Sequence, residues 1–115
     1  MQVVVTGGTG VLGRAAVPAL LEAGHQVSVV CRRPDNVSVV EQMGATPVQA
    51  DIFDADSLSE AFAGADAVIN LATHVPVGHR SALERSWRLH DQLHSRGSAA
   101  VVEAALRAGV RRVVQ

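Results

Sequence analysis

Residues 2–13 read QVVVTGGTGVLG: a β-branched apolar run, glycines at 7, 10 and 13, and the start of a stretch with helical spacing. The run Val3-Val4-Val5 has the length and composition of a strand buried on both faces. The stretch from Val11 to Ala23 has the spacing of a helix and stops before Gly24, a residue suited to the position after a helix end. Between them, Thr6-Gly7-Gly8-Thr9-Gly10-Val11-Leu12-Gly13 forms a glycine-rich strand-to-helix turn. A diphosphate needs free backbone N–H groups at a helix N-terminus, where the macrodipole also favours negative charge. In that role Gly7 permits the tight turn, Gly10 removes a Cβ that would hold the phosphate away, and Gly13 lets the helix lie close on the strand. A Walker-type loop is excluded, because no Gly-Lys-Ser/Thr follows. A glycine turn with no ligand is the weaker alternative, given that a strand precedes the motif and a helix follows it.

Outward from this turn, strand-like and helix-like segments alternate. Further strands are read at 27–30, around Val48, at 67–69 and at 110–114. Further helices are read at 37–43, ending at Gly44, at 57–62, ending at Gly64, and from about Ala82 to Ala108, ending at Gly109. Ser57 and Glu60 have the spacing of a capping box at the start of the third helix. Pro18 lies well inside the first helix and predicts a bend there, not an end. Gly97 inside the last helix suggests close approach to the sheet. The alternation predicts an α/β fold: a doubly wound parallel Rossmann sheet in the order 3-2-1-4-5, broken off within its fifth strand. A single nucleotide-binding domain spanning 1–115 is expected, incomplete for want of a catalytic and substrate portion.

Bulk composition agrees with one globular domain. The chain has 115 residues, 48% of them hydrophobic and 18% charged, with a net charge of −1. That balance favours neither a nucleic-acid nor a membrane-surface partner. Cys31 stands alone, so no disulfide framework exists and a reducing, cytoplasmic compartment is expected. The opening residues lack the features of a signal peptide, and no run is long enough to span a bilayer.

The choice of cofactor turns on the end of the second strand. An NAD-selective site places Asp or Glu there to hold the ribose 2′-hydroxyl. Here Cys31 stands in that place, followed by Arg32 and Arg33. Two guanidinium groups suit a 2′-phosphate, which predicts NADP over NAD. Solvated arginines at a strand end are the alternative.

On these residues the chain resembles the short-chain dehydrogenase/reductase superfamily, closest to its extended or atypical epimerase/dehydratase branch. The resemblance rests on the segment 1–33, on Asp51-Ile52, on Asn70-Leu71-Ala72-Thr73 and on 108–114. It implies that Asp51 and Ile52 border adenine, with the Asp51 carboxylate accepting from the amino group; a turn or cap role for Asp51 is the other reading. It implies also that Leu71 and Ala72 line the path toward the nicotinamide. Many relatives carry Gly or Ala where this chain has Thr73, whose hydroxyl either contacts the ribose or narrows the groove.

Members of the superfamily transfer hydride with a Tyr and a Lys four positions apart, and with a Ser or Thr after the fifth strand. This chain contains no Tyr and no Lys, and it stops at Gln115. No catalytic residue is therefore named, and the chain alone is expected to bind cofactor weakly without turnover. A portion of a longer oxidoreductase or epimerase, its small-molecule substrate bound elsewhere in the parent, is the leading expectation. The alternatives are a non-catalytic NADP-binding or redox-sensing module and a gene fragment that self-associates through an exposed sheet edge.

Other features have plainer readings. His90 and His94 imitate a zinc-protease helix, but a short Asp91 replaces the glutamate and no third ligand is evident, so no metal is expected. Trp87 is read as a helix-packing residue, and 73–80 as a connection or a cover for the ligand. Arg111 and Arg112, read as preceding the fifth strand, suit a helix C-terminus.

Overall fold

The computed structural model describes residues 1–72 and 98–115. Thr73, the 73–80 segment, Trp87, His90, His94 and Gly97 lie outside the described residues. The elements run β1 (Gln2–Thr6), α1 (Val11–Glu22), β2 (Gln26–Cys31), α2 (Asp35–Gln42), β3 (Thr46–Gln49), α3 (Ala55–Ala61), β4 (Ala67–Asn70), α4 (Ser98–Ala108) and β5 (Arg112–Val114). All five strands are parallel in the order β3-β2-β1-β4-β5, as the alternation predicted.

Alternation along β1 divides the interior into two apolar layers. Val3 and Val5 face one side, where Val27, Val29 and Cys31 of β2 join them beneath Val17 of α1 and Val40 of α2. Val4 faces the other, with Val68 of β4, Leu58 of α3, Phe62, and Val101, Ala104 and Ala105 of α4. Helices therefore cover both faces of the sheet, which is why its central strands carry apolar residues at consecutive positions.

Several boundaries depart from the sequence reading. The capping box at Ser57 is overturned: α3 starts earlier, and Asp54 caps it by accepting from the amides of Asp56 and Ser57. Asp54 has an ordinary capping spacing of its own, and the nearer, ionised acceptor wins. Ser57, now inside the helix, turns its Oγ to accept from the Asp51 amide at 3.1 Å. The helix expected at 37–43 begins two residues sooner, at Asp35, whose negative charge suits a helix start. β5 is shorter than expected and takes in Arg112, so only Arg111 precedes it. Its residues are exposed, Val114 at 55%, so this strand is not buried on both faces as its composition suggested.

The first helix has the span that its spacing predicted, to within a residue. It runs through Pro18 without ending. It closes at Gly24 with φ +92°, where the amides of Gly24 and His25 bond back to Leu21 and Leu20. α4 closes in the same way at Gly109. On the surface Arg107 links α4 to α3 through Asp56, and pairs with Glu103 one turn back at 2.7 Å. Both pairs are solvated and contribute little to stability.

Candidate functional site

The carboxyl ends of β1, β2, β3 and β4 bring the predicted residues to one edge of the sheet. Thr6 ends β1 and is buried, 1% exposed. Its hydroxyl donates to Asn70 Oδ1 at 2.5 Å, and the same oxygen accepts from the Ala72 amide at 3.2 Å. The Leu71 amide donates to the Thr6 carbonyl at 2.8 Å. These bonds tie the start of the glycine loop to the exit from β4. Asn70 was not among the predicted site residues. The signal was available, since a polar side chain closing a central buried strand needs a partner. Thr6→Val keeps the shape and removes the donor, and is expected to lower stability by about 1–2 kcal/mol. Thr6→Ser should restore most of that loss. Urea unfolding would measure both, and a valine variant as stable as the parent would show that the hydroxyl contributes nothing.

The loop glycines are held by contacts of three kinds. Gly7 has φ +73°, and a Cβ there would lie 2.5 Å from the Ala72 nitrogen. Gly8 faces the other neighbour, where a Cβ would meet Val29 Cγ1 of β2 at 2.6 Å. At Gly13 an added Cβ would sit 2.4 Å from the backbone of Gly8. Its smallness therefore lets the helix approach the loop, and the expected close contact with the strand is corrected to that extent. Gly10 differs: its nearest neighbour would be the Gly7 carbonyl at 3.4 Å, and the space is otherwise open.

Gly10 is also the N-cap of α1, and no side chain caps the helix. The first-turn amides of Val11, Leu12 and Gly13 thus have no partner within the helix. No acidic residue stands in that turn. Val11 and Leu12 leave their side chains 89% and 63% exposed at the mouth. Open amides, the positive end of a helix and a cradle without Cβ atoms fit a diphosphate flanked by ribose and base.

Other predicted residues, among those described, follow the carboxyl ends of β2, β3 and β4. Arg32 and Arg33 follow β2 and are exposed. Cys31 turns inward: its side chain is 2% exposed and its Sγ lies 3.6 Å from the Val29 carbonyl. Burial pushes the thiol's pKa up, so it stays neutral and offers a ligand only its backbone. Asp51 Oδ1 accepts from the Phe53 amide at 3.0 Å, the turn role weighed above, which leaves the second carboxylate oxygen outside that bond. Ile52 and Leu71 are half-buried and pack on the two opposite apolar layers.

A family model described as NAD(P)H-binding matches residues 7–115, which takes in the loop from Gly7 onward. The chain belongs to that NAD(P)H-binding family. Its relatives place it with the extended short-chain dehydrogenases/reductases and the epimerase/dehydratase branch. A sterol-4-alpha-carboxylate 3-dehydrogenase (decarboxylating) of Dictyostelium discoideum is 37% identical over 72% of this chain and 25% of its own length. A photosystem II assembly factor of Synechocystis is 30% identical over 99% of this chain and 32% of its own. Among solved structures, a UDP-glucose-4-epimerase from Stenotrophomonas maltophila with bound NAD superimposes with a TM-score of 0.82 at 30% identity, covering 98% of this chain and 35% of that one. The NAD(P)H-binding chain thus spans about a quarter to a third of the length of the proteins it resembles. It is a nucleotide-binding portion of oxidoreductase type, and its ligand is a nicotinamide dinucleotide. No helix among the described residues is long and apolar enough to cross a membrane.

Proposed function

We propose that the chain supplies the dinucleotide-binding part of an oxidoreductase or epimerase acting on a small carbonyl or hydroxyl substrate, and that it prefers NADP. The observation that carries this reading is an uncapped helix mouth after β1, with two exposed arginines following the neighbouring strand β2. Backbone amides of the Thr6–Gly13 loop bind the diphosphate. Arg32 and Arg33 take the 2′-phosphate, Cys31 contributing backbone only. Asp51 and Ile52 border the adenine, and Leu71 and Ala72 lead toward the nicotinamide. A bound nicotinamide ring donates or accepts hydride; the residues described here bind and orient it.

The test is a pair of titrations with NADPH and NADH. The parent chain should bind NADPH more tightly, and Arg32→Ser with Arg33→Ser should cut that preference by about tenfold or more, the size expected for losing a charge-assisted contact. Tighter binding of NADH by the parent chain would overturn the NADP preference. One relative favours a second reading: the photosystem II assembly factor carries an assembly role in its name, and it matches 99% of this chain. On that reading the dinucleotide is bound without turnover, and a protein containing this chain would hold NADPH but oxidise none with any carbonyl substrate.

A further inference from the structure

The two sides of the glycine loop rest on different strands. Gly7 abuts Leu71 and Ala72 beyond β4, whereas Gly8 abuts Val29 of β2. Thr9 follows Gly8, and its carbonyl accepts from Arg14 Nε at 3.1 Å. Arg14 belongs to the second turn of α1, yet this bond draws its side chain back along the helix to the loop, one residue on from the glycine that abuts β2. Arg32 and Arg33 stand at the end of that same β2. Arg14 is exposed, and no carboxylate pairs with Arg14, Arg32 or Arg33 among the described residues. Asp35, the nearest acid in sequence to Arg33, opens α2, where its charge faces a helix start.

We propose that Arg14 is a third cationic contact for the phosphate on the adenosine ribose, a specificity-determining residue that the glycine motif itself does not encode. Its Nε–H is spent on Thr9, which holds the planar guanidinium in place. The two Nη groups keep four hydrogens for phosphate oxygens. Such an arginine loses less conformational freedom on binding than a free one, because one bond already orients it. The inference rests on the NADP reading above and sharpens it: the loop contributes to selectivity as well as to diphosphate binding.

The experiment compares NADPH and NADH dissociation constants for the parent chain, Arg14→Gln and Arg14→Lys, with 2′,5′-ADP as a competing probe that lacks the nicotinamide. Thermal midpoints serve as the check on folding. Arg14→Gln should weaken NADPH and 2′,5′-ADP by about tenfold and NADH by less than about twofold. Arg14→Lys should recover part of the loss, since it keeps the charge and gives up the fork. Equal weakening of NADPH and NADH would overturn the proposal, by assigning Arg14 to the shared diphosphate; so would no weakening of either. A parent chain with no preference for NADPH would overturn the NADP reading and this inference together. A parent preference that survives intact in both variants would sink this inference alone.

Discussion

Gly7→Ala is expected to lower dinucleotide affinity by about a hundredfold, equivalent to about 3 kcal/mol. Two costs coincide at this position. The backbone has φ +73°, where an L side chain is strained by roughly 1–2 kcal/mol. The new methyl would also lie 2.5 Å from the carbonyl carbon of Leu71 and from the nitrogen of Ala72, and both obstacles are backbone. Neither can swing aside as a flexible side chain would. Either the loop lifts from β4, which misaligns the amides at the α1 mouth, or the β4 exit moves and strains the Thr6–Asn70 bond. Titration with NADPH reads the first consequence, and urea unfolding reads the second. Affinity within about threefold of the parent would mean that the loop position is not what sets binding.

Phe62→Ala should be the most destabilising truncation among the described residues, at about 3–5 kcal/mol. Phe62 is fully buried between α3 and α4, in contact with the layer that contains Val4, Val68 and Val101. Beside Val101, the face that α4 turns into this layer is built from Ala100, Ala104 and Ala105, side chains too short to fill a vacated ring. The cavity therefore persists rather than collapsing. Against a total stability of about 5–15 kcal/mol for a domain of this size, the loss leaves a large unfolded share. Denaturant midpoints for the parent and the variant would measure it. A loss under about 1 kcal/mol would mean that α3 and α4 close over the gap, contrary to the argument from the alanines.

Much of this architecture was legible in the residues because it depends on local periodicity. Consecutive valines at 3–5, glycine at each helix end and the β-α alternation led to the strand order that the sheet shows. Details that depend on tertiary neighbours were not legible. Asp54 and Ser57 both had the chemistry of a cap, and only the backbone path chose between them. Cys31 looked like a cofactor neighbour by position, but it shares the parity of Val27 and Val29 and so faces the interior. That parity could have been read from the strand itself. The contacts of Gly8 with Val29, and of Gly13 with Gly8, join residues whose proximity no spacing rule reveals. The Arg14 bond to Thr9 is of the same kind.

Because β1 sends Val4 to one layer and Val3 and Val5 to the other, the two halves of the interior share a wall but few side chains. Divergence in one half is then only weakly constrained by the other. Replacements that conserve volume beneath α1 and α2 leave the fit beneath α3 and α4 intact, since compensation is needed only among neighbours in contact. A lineage can thus change its helices one flank at a time. Such piecemeal drift is consistent with a solved structure that superimposes on this chain with a TM-score of 0.82 at only 30% identity.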